Sequence, residues 1–321
     1  MAGDPLWYHK VLGLHCDGAN NSTTFTDVKG KTVTAVGNAK ISTAQYPALT
    51  GKSSSALFDG TGDYLSSAAS SDFNFGTGDF TIRCMFYLAG DSAVDDGGNR
   101  NARLFCLSNA TTTFDIDVEI QGDASTTGIG IAFYSSANGI FSRTVTVTKN
   151  VWHDVEVSRS GTSLRIFFDG TQLGATFTDS ASWGSSTFDA YVGGANFASN
   201  YYFYFNGYIS EVEIYKGVAL HTADFTPTSD PFSEEYVYVS GVTKDSSGTP
   251  ASRLVRVYRR DTGALVSSVL SNGTTGIYKV TAANSGTTTP LKHFAICLDA
   301  TADPPGTPTE NAIIYDNITP A

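Results

Sequence analysis

Phe80-Thr81-Ile82-Arg83-Cys84-Met85-Phe86-Tyr87 alternates inward-type and outward-type side chains with the period of a half-buried strand. The same alternation runs through Asp115-Ile116-Asp117-Val118-Glu119-Ile120 and Thr144-Val145-Thr146-Val147. Val155-Glu156-Val157-Ser158-Arg159 and Leu164-Arg165-Ile166-Phe167-Phe168 are separated by Ser160-Gly161-Thr162-Ser163, the composition of a hairpin turn, and Asp169-Gly170 closes the second run with another turn. Gly, Ser and Thr interrupt each candidate helix, and β-branched and aromatic residues fill the apolar slots, so no helix longer than about two turns is expected. The fold class read from this pattern is all-β.

At 321 residues the chain exceeds the usual size of one domain. A boundary is expected near residues 226–236, where Thr226-Pro227-Thr228-Ser229-Asp230-Pro231-Phe232-Ser233-Glu234-Glu235 carries two prolines and little apolar periodicity. Two domains follow, over residues 1–232 and 236–321. Beyond the boundary a second strand series begins with Tyr236-Val237-Tyr238-Val239-Ser240-Gly241-Val242. It continues through Leu254–Tyr258, Ala264–Ser267, Ile277–Val280 and His293–Leu298, with Ala312–Asp316 returning as an edge strand. Short strands at this spacing suit a small immunoglobulin- or transthyretin-like β-sandwich.

Charge restricts function. Lys and Arg number 20 against 31 Asp and Glu, a formal net charge of -11, which does not suggest a surface that tracks a phosphate backbone. Met1-Ala2-Gly3-Asp4-Pro5 lacks the cationic start and apolar run of a signal peptide, and no stretch reaches the roughly 18 apolar residues of a membrane helix, so a chain made and kept soluble is expected, without membrane insertion. Cys16, Cys84, Cys106 and Cys297 are widely separated, and read as reduced, buried small residues.

The blocks Leu57-Phe58-Asp59-Gly60-Thr61-Gly62-Asp63-Tyr64-Leu65 and Asp72-Phe73-Asn74-Phe75-Gly76-Thr77-Gly78-Asp79-Phe80-Thr81-Ile82 resemble the concanavalin-A-like, laminin-G-like jelly-roll family. Trp152-His153, Ser158-Arg159-Ser160-Gly161, Leu164 to Gly170, Val192-Gly193-Gly194 and Phe205-Asn206-Gly207-Tyr208-Ile209-Ser210-Glu211-Val212 follow in family order. His15-Cys16-Asp17-Gly18 with Phe25-Thr26-Asp27, Tyr215-Lys216-Gly217-Val218-Ala219 and Phe225-Thr226-Pro227 resemble bacteriophage tail proteins in particular. The second domain, with Pro250-Ala251-Ser252-Arg253-Leu254-Val255-Arg256-Val257-Tyr258-Arg259-Arg260 and Gly276-Ile277-Tyr278, is similar to modules appended to phage tail and fibre proteins. The resemblance implies a virion protein made in the bacterial host cytoplasm, seated in a tail or another surface appendage. It would be a homo-oligomer contacting other virion proteins; a head decoration protein is the alternative within the same class.

Three groups of residues carry chemistry. Asp115, Asp117 and Glu119 share one strand face, as in the acidic signature of jelly-roll glucanases, and glycoside cleavage needs two carboxyls flanking the scissile bond. The competing expectation is a strand with Ile116, Val118 and Ile120 in the core and the acids in water, which leaves the chain non-enzymatic rather than a polysaccharide-degrading glycosidase. Asp91, Asp95 and Asp96 form an acidic loop that would offer oxygen ligands to Ca²⁺, though not at EF-hand spacing; otherwise no cofactor is implied. Tyr201-Tyr202-Phe203-Tyr204-Phe205 is the most aromatic run. With Trp183 and Asn200 nearby in sequence, Tyr201, Tyr202 and Tyr204 are the candidate contacts to a host surface polysaccharide, since sugars stack on aromatic faces. His153, beside Trp152, reads as structural.

Overall fold

A computed structural model describes residues 6–90, 101–109, 114–121, 130–135, 139–195, 203–232, 236–244, 247–259, 265–283, 293–299 and 313–318. The chain divides into two compact units, one of Tyr8–Phe232 and one of Ser233–Ala321 together with Met1–Trp7. Among the described residues helix is limited to two three-residue turns, Trp7–His9 and Ser71–Phe73.

The larger unit places its strands, in chain order, at β1 (Lys10–Leu14), β2 (Thr24–Thr26), β3 (Thr32–Val36), β4 (Lys40–Ser42), β5 (Ser55–Asp59), β6 (Tyr64–Ser67), β7 (Phe80–Leu88), β8 (Asn101–Ser108) and β9 (Phe114–Gln121). It continues with β10 (Gly130–Ser135), β11 (Gly139–Thr144), β12 (Trp152–Ser160), β13 (Ser163–Phe168), β14 (Thr171–Gln172), β15 (Phe177–Thr178), β16 (Asp189–Val192) and β17 (Asn206–Lys216). Two antiparallel sheets result. The first runs β14-β13-β12-β7-β17-β5-β4, with β1 on β17 and β15 on β13, and the second runs β11-β10-β9-β8-β16-β6-β3-β2.

Alternation fills the space between the sheets. From the first come Ile82, Cys84 and Phe86, Val155 and Val157, and Leu164 and Ile166; from the second come Leu104, Ile116, Val118 and Ile120, all in one apolar cluster. Pairing β1 with β17 ties the start of this unit to its last strand, in the register Leu14↔Val212. At Gly207, φ +150, a Cβ would lie 2.0 Å from the carbonyl oxygen of Tyr87, so glycine there permits the close approach of β17 to β7.

The expected hairpin forms with Ser160 opposite Ser163. The expected strand Thr144–Val147 does not: pairing of β11 with β10 stops at Gly130↔Thr144. Val145 and Val147 still turn toward the core and Thr146 outward, so the alternation there belongs to extended backbone without a ladder. The smaller unit contributes β18 (Tyr236–Val242), β19 (Arg253–Arg259), β20 (Leu265–Leu270), β21 (Ile277–Ala283), β22 (His293–Asp299) and β23 (Ile313–Ile318). These form sheets β18-β21 and β20-β19-β22-β23, with β23 at an edge as expected.

Candidate functional site

Because Ile116, Val118 and Ile120 point into the core, Asp117 and Glu119 must leave β9 on the outer face of the second sheet. The expectation that these acids stand in water is corrected: Asp117 is 1% exposed and Glu119 4%. The physical reason is Arg103 on β8, itself buried. Its Nε donates to Asp117 Oδ2 at 2.6 Å, and its guanidinium lies 4.6 Å from the centre of the Phe203 ring. The Arg103 backbone N–H donates to the Phe203 carbonyl at 3.0 Å, which fixes that ring over the sheet. Glu119 Oε1 accepts from Asn101 Nδ2 at 3.3 Å and from Gln121 Nε2 at 3.0 Å. Burial pushes the Asp117 carboxyl up, to about 6, against the opposing pull of Arg103.

Chemically this is a sealed ion cluster. A glycosidase presents two carboxyls to either side of a bond in bound substrate. Here Asp117 Oδ2 and Glu119 Oε1 accept from protein donors and both carboxyls are shielded from solvent, while Asp117 Oδ1 is buried with no hydrogen-bond partner among the described residues. Arg103 is the residue that sequence reasoning missed, yet it has a signal. It sits inside the apolar run Ala102-Arg103-Leu104-Phe105-Cys106, where a charge requires a buried partner.

Residues 217–232 run back across the outer face of the first sheet. Arg83 Nε and Nη2 both donate to Asp154 Oδ2, at 3.2 and 2.8 Å. The Phe232 ring lies 3.8 Å from that guanidinium and the Phe225 ring 5.5 Å. His221 stacks on Phe225, centroids 3.6 Å apart and planes 12° apart, while its Nδ1 lies 2.7 Å from Glu156 Oε2. Glu211 anchors the exit: its carboxylate takes Lys52 Nζ at 2.7 Å, His15 Nδ1 at 2.9 Å and the Phe232 N–H at 2.6 Å. Burial works to raise the Glu211 carboxyl, but His15 and Lys52 outweigh it and hold the group below its ordinary value. Glu211 has φ +52 where the β17–β7 register slips between Ser210 and Glu213, so it does not alternate simply with Glu213, which pairs instead with Lys10.

Of the predicted contact residues, Trp183 and Tyr204 are among the described residues. Trp183 is corrected outright: it is fully buried, its Nε1 donates to Asp179 Oδ2 at 2.7 Å and its ring lies 4.4 Å from Phe133, so no sugar can reach it. Tyr204 is half-buried between buried Phe203 and Phe205, and a Cβ on Gly194 would come within 2.7 Å of its ring. Asn200, Tyr201 and Tyr202 lie outside the described residues, as do Asp91, Asp95 and Asp96. Among the described residues no three His, Cys, Asp or Glu groups are arranged to hold a metal, and no helix is long and apolar enough to cross a membrane. Cys16, Cys84 and Cys106 are free and buried, and burial pushes each thiol up. His153 is buried between Asp169 Oδ2 at 2.8 Å and the Thr148 carbonyl at 3.1 Å, a structural position.

Residues 59–224, just over half of the chain, match the Laminin_G_3 family, described as the concanavalin A-like lectin/glucanases superfamily. No curated protein matches the chain. Among solved structures, domain 4 of an extracellular arabinanase from Geobacillus stearothermophilus, in complex with arabinotriose, is similar at 12% identity and TM-score 0.47, over 66% of this chain and 95% of that one. The botulinum neurotoxin serotype G binding domain is similar at 10% identity and TM-score 0.45, over 90% and 72%. Trypanosoma rangeli sialidase, with 2,3-difluorosialic acid, is similar at 13% identity and TM-score 0.47, over 67% of this chain and 32% of that one.

Proposed function

This chain belongs to the concanavalin A-like lectin/glucanases superfamily, and from that premise we propose that it is a non-enzymatic binding and structural module of a bacteriophage particle that contacts glycan on the host surface. The observation that carries the non-enzymatic half is the sealing of Asp117 and Glu119, at 1% and 4% exposure, beneath Arg103 and Phe203. Hydrolysis needs one carboxyl on each side of a bound glycosidic linkage, and a cleft to admit that linkage. A strand whose acids are buried against Arg103, Asn101 and Gln121 keeps the acidic alternation and gives up the access.

The virion half rests on the ordered blocks from His15-Cys16-Asp17-Gly18 to Phe225-Thr226-Pro227 and on the appended second unit. A tail or surface appendage suits a glycan-contacting module better than the head, which has no need to recognise the host. Two measurements test the reading. The purified chain, incubated with bacterial capsular and cell-wall polysaccharides, should release no new reducing ends; turnover that disappears in Asp117→Asn or Glu119→Gln overturns the non-enzymatic half. Antibody raised against the chain should label purified particles at an appendage, and labelling confined to the head, or absent, overturns the tail assignment.

A further inference from the structure

Residues 217–232 cover only part of the first sheet's outer face. Phe232 is the last ring they lay down, packed with Leu49, Met85 and Trp152. Beyond it the register aligns residues from five neighbouring strands: Trp152 opposite Tyr87, Tyr87 opposite Tyr208, Tyr208 opposite Leu57, and Leu57 opposite Lys40. Their sequence neighbours Phe86, Ile209, Ala56, Phe58 and Ile41 are buried in the core, so these five point outward, and all five are half-buried. Trp152 and Tyr87 have ring centroids 5.8 Å apart, and Tyr87 and Tyr208 5.7 Å, with planes turned by 53° and 82°. Among the described residues no hydrogen bond within the protein engages the hydroxyls of Tyr87 or Tyr208.

We propose that the cross-strand row Trp152, Tyr87 and Tyr208 binds a neutral, linear polysaccharide lying across the strands; this rests on the glycan-contacting reading above and moves the contact away from residues 200–204. Three features select the ligand. The rings step by about the length one pyranose adds to an extended chain, because adjacent strands set the spacing. Neighbouring rings are turned by 53° and 82°, so that where one ring offers a face for stacking the next can offer an edge, which on Tyr87 and Tyr208 bears a hydroxyl for hydrogen bonds to sugar hydroxyls. None of the five residues is acidic and the only charge is Lys40, while the chain as a whole carries -11, so a polyanion is repelled in approach.

The row is also the wrong shape for a protein partner. It takes one residue from each strand and is bounded on one side by Phe232, whereas a stable protein interface buries roughly 1,000 Å² or more across a broad patch. A linear polymer needs only the length.

The test is affinity electrophoresis of the full chain in gels containing a soluble linear neutral glucan, a soluble mannan or an acidic capsular polysaccharide. The wild type should be retarded by a neutral polymer and not by the acidic one. Tyr87→Ala and Tyr208→Ala should each weaken retardation about tenfold and together abolish it. Tyr87→Phe and Tyr208→Phe, which keep the rings, should keep most of it, and Tyr204→Ala should leave it unchanged. Circular dichroism checks that each variant is folded. Retardation that persists in the folded Tyr87→Ala/Tyr208→Ala variant overturns this placement and leaves the glycan reading standing; retardation only by the acidic polymer overturns the choice of a neutral ligand. Absence of retardation in every gel overturns both. Loss of an oligomer in light scattering by the same double variant, with retardation unchanged, assigns the row to protein contact and overturns the proposal.

Discussion

Asp117 shows how far one residue departs from its local pattern. Alternation along β9 specifies which side of the sheet it occupies, and that much is legible in the sequence. What covers that side is not: the aromatic ring over Arg103 is Phe203, far along the chain, and Arg103 reaches Asp117 from the neighbouring strand. The consequence is measurable through pH. Burial pushes the Asp117 carboxyl from 3.8 up to about 6, so between about pH 4 and pH 6 the folded protein holds a proton that the unfolded chain has released. Stability contributed by this group is therefore present at low pH and falls as pH rises through that window, by an amount on the order of 2–3 kcal/mol. Glu211, held below its ordinary value, acts in the opposite sense and loses its contribution as pH falls below the ordinary glutamate range. Urea unfolding of the wild type and Asp117→Asn across pH 4–7 isolates the first effect. The difference between the two curves should decline from pH 4 to about pH 6.5 and then flatten; a constant difference would sink the buried-carboxyl assignment.

At the scale of elements, the strands were readable because period-two alternation reports a sheet with one face in the core, and β7, β9, β12 and β13 all carry it. The same logic misplaced Trp183, since nearness in sequence to an aromatic run says nothing about which layer a ring enters. It was also blind to the Trp152-Tyr87-Tyr208 row, whose members come from three strands and meet only through register. A proline-bearing boundary was expected over residues 226–236, of which the structure describes residues 226–232 at its start. They are in fact pinned, with the Thr50 N–H donating to the Ser229 carbonyl at 2.9 Å and Phe232 buried against Arg83. Phe232→Ala removes the ring that seals the Arg83–Asp154 pair, and truncation of a buried Phe costs about 3–5 kcal/mol where the site cannot collapse. Because the strands beneath keep their own core, the loss should appear locally. Hydrogen exchange should accelerate in residues 217–232, and limited proteolysis should gain cuts there, while protection in β7 and β12 persists. Uniform loss of protection across both sheets would show that this segment is part of the main core.

At the scale of the whole molecule, Tyr8–Phe232 contains both sheets of the sandwich and the pairing of its first strand with its last. This pairing ties both ends of the unit into one sheet, and Phe232, the final residue of the unit, is held by the Glu211 carboxylate through its backbone N–H. The proposed polysaccharide row lies wholly on β12, β7 and β17, and so within this unit. A fragment comprising residues 8–232 is therefore expected to be soluble and to unfold in one cooperative transition, with a midpoint within a few degrees of the corresponding transition in the full chain. A deficit of 1 kcal/mol at this size would lower the midpoint by about 2–4 °C. Ending the fragment at residue 224 instead removes Phe225 and Phe232 from Arg83 and the Phe232 N–H from Glu211, and should cost far more. Differential scanning calorimetry of the three chains decides the matter. A fragment 8–232 that fails to fold while the full chain melts cooperatively would mean that the second unit completes the core of the first, and the division at Phe232 would have to be abandoned.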